Sequence, residues 1–401
     1  MQPGSFQAGY AERVITPPLD PPVYLAGFGQ NRVAQSVHDD LYARVLALLQ
    51  NDSTVILIAL DLLGLGRDHC MEIEVRVKER QPNTQLIVAC THVHHGPDTI
   101  GLWGPDMQTS GVNADYLAGV KNTVLEIALE ALQKLRPAQM RIASIQVPGV
   151  AKNARNPDIR DEELTCVQFR NSETGKPFAT WLIFPCHPEV LWDGNPHITS
   201  DYVHSLREQV EAATGAPALF MAGALGGMMT PDVQRHDFDE SAALGETLAQ
   251  AGLKALADSP FQSVNDLVYA RKIFKIPLQS FLFEEAVRAG LLSPIQDADG
   301  NVTTETGLLK IGSAWFAAVP GELLPKLGLL LKSEMQAAGA SLAAVIGLAN
   351  DEIGYILPQD EYIYPENPFE PGEHYEETMS VGPETAPRLM NALHALWTPL
   401  A

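Results

Sequence analysis

The chain has 401 residues, of which 46% are hydrophobic and 19% charged, a composition typical of globular rather than disordered or fibrous proteins. Asp and Glu number 49 against 27 Lys and Arg, which gives a formal net charge of −22. So acidic a surface repels nucleic acid and anionic membranes, because binding either needs basic patches.

The apolar runs are of strand length, so we expect no transmembrane segment. The first residues lack the basic start and apolar core of a secretory signal. Four cysteines in so long a chain make no disulfide scaffold. These features together favour a cytoplasmic protein with reduced thiols.

Strand-like and helix-like segments alternate from the start of the chain. Residues 55–60 and 86–90 are short apolar runs that predict buried strands, with a helix over 69–80 between them. This β-α-β order favours parallel strands with a right-handed crossover. A longer amphipathic helix follows over 116–135.

The middle and end of the chain predict further elements of both kinds. Strands over 164–169 and 179–184 flank a turn-forming stretch and indicate a hairpin. A helix is predicted to start near Thr199 or Ser200, and further predicted elements are strands over 218–222, 315–319 and 343–348 and helices over 238–257, 322–335 and 387–397. The expected fold class is therefore α/β, with a mixed β-sheet core and flanking helices. We expect a single domain over 1–401, in which residues 260–310 could form a decoration.

Three histidines, His92, His94 and His95, follow the strand that ends at Cys90, in the segment 91–97 (THVHHGP). Ligands gather at the carboxyl ends of strands in α/β sheets. In extended chain, His92 and His94 would place both rings on the same side. Such a pair suits a metal centre or a general acid/base pair, although incidental loop histidines give the same pattern.

Two further residues could complete such a centre. His187 lies between two prolines at the end of the 179–184 strand, and Glu322 begins the predicted 322–335 helix. A hydrogen-bonded structural histidine and a carboxylate at a helix N-terminus are the ordinary interpretations. Two histidines and a glutamate also form a known catalytic zinc set, which leaves one coordination position for water.

Segments spread from about residue 15 to residue 383 resemble, in the same order, the catalytic domain of the neutral ceramidase family (neutral/alkaline, non-lysosomal). They are 15–18 (ITPP), 27–29 (GFG), 38–44 (HDDLYAR), 89–97 (ACTHVHHGP), 153–156 (NARN), 186–188 (CHP), 200–201 (SD), 350–355 (NDEIGY), 361–362 (EY), 375–376 (YE) and 382–383 (GP).

The resemblance implies a ligand set and roles for residues that the pattern alone does not assign. It implies one zinc ion per chain, held by His92, His187, Glu322 and Tyr355, with His94 and Arg155 on the substrate side. Metal-activated water would attack an amide carbonyl, and Arg155 or Tyr355 would stabilise the oxyanion. His94 would transfer a proton to the leaving amine.

The chain departs from the family at a position to which a catalytic serine has been assigned. The corresponding stretch, 222–224, is Ala-Gly-Ala and carries no hydroxyl. Metal-activated water is therefore favoured over a serine nucleophile. The chain also lacks room for the family's C-terminal β-sandwich domain, so the substrate remains open.

We therefore expect a zinc-dependent hydrolase that cleaves an amide bond of a small-molecule or lipid-like N-acyl substrate. One alternative is a metal-dependent esterase, lactonase or amidase for small soluble substrates, and another is a non-catalytic relative. A long apolar groove would favour the lipid-like substrate, and a small polar cavity would not. The oligomeric state and the physiological metal stay open, since Mn or Fe also suits a His/Glu/Tyr site.

Overall fold

Two β-sheets lie face to face between two layers of helices in the computed structural model, which describes residues 5–292 and 296–397. The first part of the chain forms β1 (Gln7–Val14), β2 (Ser36–Val37), β3 (Tyr42–Gln50), β4 (Ser53–Leu60), α1 (Arg67–Lys78), β5 (Thr84–Cys90), α2 (Ala114–Gln133), β6 (Arg136–Gln146), β7 (Ala151–Asn153), β8 (Glu163–Asn171) and β9 (Pro177–Phe184). It continues with β10 (His197–Ile198), α3 (Tyr202–Thr214), β11 (Ala218–Ala222), β12 (Met229–Pro231) and α4 (Phe238–Ala257).

The last third of the described chain adds the second sheet and its helices. Its elements are β13 (Leu267–Pro277), α5 (Phe281–Arg288), β14 (Asn301–Ile311), β15 (Ala314–Ala318), β16 (Glu322–Leu323), α6 (Pro325–Ala337), β17 (Leu342–Ile346), β18 (Tyr355–Ile356), α7 (Tyr375–Thr378) and α8 (Thr385–Trp397). Two short 3₁₀ helices, Gln359–Glu361 and Gly372–His374, precede α7.

The larger sheet has eight strands in the order β11-β9-β8-β6-β1-β3-β4-β5. Its outer pairs, β4 with β5 and β9 with β11, are parallel, and the inner pairs are antiparallel. The second sheet has the order β13-β14-β15-β17. The sheets are therefore mixed and carry flanking helices, which confirms the α/β fold class expected from the sequence.

Alternating side chains of the strands divide the core into layers, because successive residues of a strand point to opposite faces. On β3, Val45 packs towards α1–α4, whereas Leu46 packs between the two sheets. The rings of Trp181 and Phe316 meet across the sheet interface, with centroids 4.6 Å apart. A further cluster buries the inner faces of α6 and α8 against the second sheet.

Most predicted elements are present, with ends that differ from the prediction by at most three residues. The 164–169 and 179–184 strands form the predicted hairpin as β8 and β9. Residues 260–310, predicted as a decoration, contribute β13 and β14 to the second sheet. No helix within the described residues is long and apolar enough to cross a membrane.

One predicted element is wrong in a way that concerns the site. The predicted 322–335 helix begins three residues later, at Pro325, because proline at the first helical position sets the helix start. Glu322 instead lies on β16, paired in parallel with β18, and is not a helix-dipole carboxylate.

Curvature of the large sheet brings its two edges together. Strand β11, at one edge, contacts β5 and β4 at the other. Strand β5 also pairs with the segment after β17, where Ala89 bridges Ala349. The carboxyl ends of β5, β9 and β15 consequently meet in one region, although 228 positions separate the ends of β5 and β15 in the chain.

Candidate metal centre and substrate cavity

Three loops at these strand ends carry the side chains that converge. His92 follows β5, His187 follows β9, and Glu322 follows β15 after a short turn. Their rings and carboxylate are buried, with side-chain exposures of 3%, 0% and 8%. Nε2 of His187 lies 3.0 Å from Oε2 of Glu322, and Nε2 of His92 lies 3.5 Å from the same oxygen.

The local backbone at His92 differs from the expected extended chain. His92 has a φ of 66°, in the left-handed region that residues other than glycine rarely adopt. The rings of His92 and His94 are nevertheless neighbours, with centroids 5.0 Å apart. The prediction of an extended His-x-His segment is therefore wrong, while the two rings still meet. Such conformations cost about 1–3 kcal/mol and cluster at functional sites.

Backbone carbonyls fix the orientation of both metal-facing rings. Nδ1 of His92 donates to the Leu63 carbonyl at 2.8 Å, and Nδ1 of His187 donates to the Met229 carbonyl at 2.9 Å. With Nδ1 of each ring engaged in this way, Nε2 is the nitrogen that faces the site. Metal-ligating histidines are typically held in this way by an outer hydrogen bond.

The charge balance also suits a cation. Burial lowers the pKa of His187, but Glu189 and Glu322 outweigh it and raise that pKa to about 9. Burial raises the pKa of Glu322, but His92 and His187 outweigh it and hold that pKa far below the usual range. The carboxylate thus requires a positive charge beside it, which a proton on a ring or a metal ion can supply.

His92, His94 and His187 form the one group of metal-ligand type found among the described residues. Their ligand atoms all lie within 4.8 Å of one another, and all three residues are buried. Both ring nitrogens of His94 are buried without a hydrogen-bond partner in the described chain. Together with Glu322, these donors match the nitrogen and oxygen ligands of zinc, so the cluster could hold a metal.

His94 has a carboxylate neighbour that the sequence analysis did not identify. Nδ1 of His94 lies 3.0 Å from Oε2 of Glu189, and the two side chains are 6% and 0% exposed. Burial lowers the pKa of His94 to about 4, against the opposing effect of Glu189. Burial raises the pKa of Glu189, but His187 and His94 outweigh it and lower that pKa to about 2.

Tyr355 lies beside Glu322 because the two residues are register partners in the β16–β18 pair. Its hydroxyl donates to Sδ of Met228 at 3.2 Å. Burial, with the nearby charge of Glu322, raises its pKa well above the usual value. The structure therefore places Tyr355 next to Glu322 in the sheet and in the wall of the same cavity.

Arg155 is placed differently from the other residues predicted for the site. Its guanidinium lies 2.8 Å from Oε1 of Glu377 and 3.0 Å from Oε2 of Glu376, and it also donates to the Glu361 carbonyl at 3.2 Å. The side chain contributes no lining to the described part of the cavity. Arg155 instead contacts Glu376 and Glu377, which directly follow Tyr375, a residue of the cavity wall.

A cavity of about 880 Å³ extends from the cluster and includes His92, His94, Glu322 and Tyr355 in its wall. Most of the wall is apolar, formed by Leu63, Met71, Val75, Ile100, Leu102, Trp103, Phe283, Leu292, Val302, Ile353, Met379 and Val381. Met71 and Val75 of α1 are exposed, so the cavity opens to solvent along that helix. The volume and lining are typical of a site for a largely apolar small molecule.

The Ala-Gly-Ala stretch lies away from this cavity wall. Ala222 ends β11 and packs in the core beneath the helices, and Ala224 packs against the second sheet. Neither residue lines the described cavity. These positions therefore carry no reactive group in this chain.

Two solved ceramidase structures share this fold. The neutral ceramidase of Pseudomonas aeruginosa superposes with a TM-score of 0.81 at 16% sequence identity, over 99% of this chain and 74% of that one. A ceramidase complexed with C2 superposes with a TM-score of 0.82 at 15% identity, over 99% of this chain and 75% of that one. No protein-family model and no curated protein matches the chain. The ceramidase-like fold suggested by the sequence is confirmed.

Proposed function

We propose that the protein is a zinc-dependent hydrolase that cleaves the amide bond of an N-acyl substrate with a long apolar chain. The observation that carries the proposal is the convergence of His92, His187 and Glu322 at one end of a mostly apolar cavity. The fold shared with ceramidase structures supports the same reaction class.

His92, His187, Glu322 and Tyr355 would hold the metal in this proposal. A zinc ion bound there would lower the pKa of a coordinated water towards about 7 and polarise the scissile carbonyl. The backbone carbonyls of Leu63 and Met229 would keep the two imidazoles in the ligating orientation.

The remaining polar groups would handle the substrate. His94 lines the cavity, neither of its ring nitrogens has a hydrogen-bond partner among the described residues, and it would pass a proton to the departing amine. Tyr355 would stabilise the developing oxyanion from its place beside Glu322. Arg155 enters the proposal as a positioning residue, because it contacts the segment that bears Tyr375 rather than the cavity itself.

The apolar lining favours a lipid-like acyl chain over a small soluble ester or lactone. Burying one methylene contributes about 0.8 kcal/mol, equivalent to roughly a fourfold gain in binding for each added carbon. The acyl chain would lie against residues such as Ile100, Leu102 and Ile353. Ceramide is one member of this substrate class.

A substrate panel tests the proposal. The zinc-loaded protein is assayed on N-acyl amides of increasing chain length, on matching esters and on lactones, with and without chelator. We expect kcat/KM on the amides to rise with chain length until the cavity is filled and to vanish with chelator.

Each other outcome of the panel assigns a different function. Preference for short esters or lactones would replace the proposal with the small-substrate alternative. Absence of hydrolysis by the zinc-loaded protein on the whole panel would identify a non-catalytic relative.

A further inference from the structure

Glu189 is a buried carboxylate that neither the ligand set nor the apolar cavity wall requires. It follows Pro188 on the loop after β9, and its side chain is 0% exposed. Oε2 lies 3.0 Å from Nδ1 of His94. A buried charge so close to an imidazole is costly unless the pair is used or well stabilised, so its placement calls for a function.

The contact with Glu189 favours one tautomer of His94 over the other. The contact is a close charge contact rather than a hydrogen bond, since neither ring nitrogen of His94 and neither oxygen of Glu189 has a hydrogen-bond partner among the described residues. A carboxylate oxygen 3.0 Å away repels a lone pair, so it favours the tautomer that carries the hydrogen on Nδ1. In that tautomer Nε2 is the nitrogen with the free lone pair. A histidine whose Nδ1 hydrogen is held by a carboxylate is oriented for proton transfer through Nε2.

Gly27 and Phe28 pack against the His94 ring and restrict its orientation. A side chain at position 27 would place its Cβ 2.5 Å from Cγ of His94, so only glycine fits there. The Phe28 ring meets the His94 ring edge-on, with centroids 5.0 Å apart. These contacts restrict the plane of the ring, and Glu189 distinguishes its two nitrogens because it lies against Nδ1.

We propose that Glu189 is the positioning residue for His94. This inference rests on the function proposed above. Glu189 keeps the hydrogen on Nδ1 of His94 and directs Nε2 at the leaving amine of the substrate. In the proposed step, Nε2 takes up a proton from the attacking water and delivers it to the amine nitrogen as the carbon–nitrogen bond breaks. Glu189 remains a carboxylate throughout and touches neither substrate nor metal.

The chain contains a matched control for this pair. His95 and Asp201 form a second buried imidazole–carboxylate contact, with Nδ1 of His95 3.8 Å from Oδ2 of Asp201 and both side chains 0% exposed. The other nitrogen of His95 contacts the Trp192 carbonyl at 2.9 Å rather than the cavity. Removing the Asp201 charge therefore disturbs a similar pair without touching the proposed proton path.

The first experiment compares an N-acyl amide with an activated ester of the same acyl chain. A poor amine leaving group needs a proton, whereas an activated alcohol departs without one. We expect Glu189→Ala to lower kcat on the amide roughly 10–100-fold, as losses of such supporting groups do, with a much smaller effect on the ester. Glu189→Gln keeps an oxygen acceptor for Nδ1 and should recover most of the amide activity.

Three results would overturn the inference in this assay. They are equal losses on amide and ester, zinc content that falls with Glu189→Ala, and the same amide-selective loss in Asp201→Asn. The Glu189→Gln variant keeps the test valid if Glu189→Ala does not fold.

The second experiment does not depend on activity. Nitrogen-15 NMR of histidine-labelled protein, assigned with His94→Gln, reports which ring nitrogen of His94 bears hydrogen. We expect an Nδ1-bound hydrogen in the wild type that Glu189→Ala loses or exposes to exchange, and an unchanged spectrum would overturn the inference. An inactive wild type with the expected spectrum would refute the proposed function and leave the positioning role standing.

Discussion

Replacing Arg155 with alanine would leave two buried carboxylates without their cation. The guanidinium lies within 3.0 Å of both Glu376 and Glu377, whose side chains are only 4% and 0% exposed. Removing one partner of a buried pair costs about 3–5 kcal/mol. With an unfolding entropy of about 2.1 cal/mol/K per residue, this loss lowers the Tm of so long a chain by roughly 4–6 °C.

Thermal unfolding of Arg155→Ala and of a surface control measures this effect. Lys326→Ala is the control, because Lys326 pairs with Asp360 and Glu361 at the exposed surface and should shift Tm little. The same samples are assayed for kcat/KM. An unchanged Tm with a large loss of activity would refute this structural role. It would instead support the substrate-side position of Arg155 that the family resemblance implies.

The pH dependence of the Arg155 effect follows from the pKa of Glu377. Burial raises that pKa, but the hydrogen bonds from Arg155 outweigh it and lower it below the ordinary value. A carboxyl with a lowered folded pKa stabilises the protein above its unfolded pKa of about 4.3 and loses that stabilisation as pH falls. The gap between wild type and Arg155→Ala should therefore be widest near neutral pH and shrink in acid.

Three further perturbations test the site. Gly27→Ala places a Cβ 2.5 Å from the His94 ring at a φ of 104°, so we expect amide hydrolysis to fall at least tenfold with zinc content retained; unaltered activity would contradict the clamped ring. When free zinc is about 100 to 1,000 times its Kd, removing it with a chelator should lower the Tm measured by calorimetry by about 3–5 °C. An unchanged Tm would argue against a metal bound to the folded state. Leu102→Trp fills part of the cavity, so kcat/KM should fall at least tenfold on the longest acyl amide and stay level on the shortest; equal changes would place the acyl chain elsewhere.

The strand-end residues show how far sequence reasoning reaches. Polar residues that directly follow apolar strands, as His92 and His187 do, could be predicted to gather because strand ends are where α/β folds place ligands. The contact between them could not be derived from pattern alone, since it depends on curvature that brings β11 against β5. The resemblance to ceramidases linked these distant residues, because its matching segments occur in the same order along the chain. Local sequence patterns contain no such information.

Other parts of the site were beyond local pattern for identifiable reasons. From the sequence, Glu322 is expected to be a carboxylate at a helix start. In the structure it lies on a two-residue strand that pairs with Tyr355 and precedes the helix. Such a short strand has no periodicity to detect. Glu189 stood beside His187 in the sequence without a visible role, because its partner His94 lies 95 positions away and only the fold brings them together.

Metal stoichiometry tests the central claim most directly. Wild type, His187→Ala and the control His197→Ala are purified identically, loaded with zinc, desalted and analysed by elemental mass spectrometry. His187 is fully buried against Glu322, whereas His197 contacts Ser36 at the surface. The account predicts about one zinc per chain in wild type and His197→Ala and none in His187→Ala. Full zinc content in His187→Ala, or none in wild type, would contradict it.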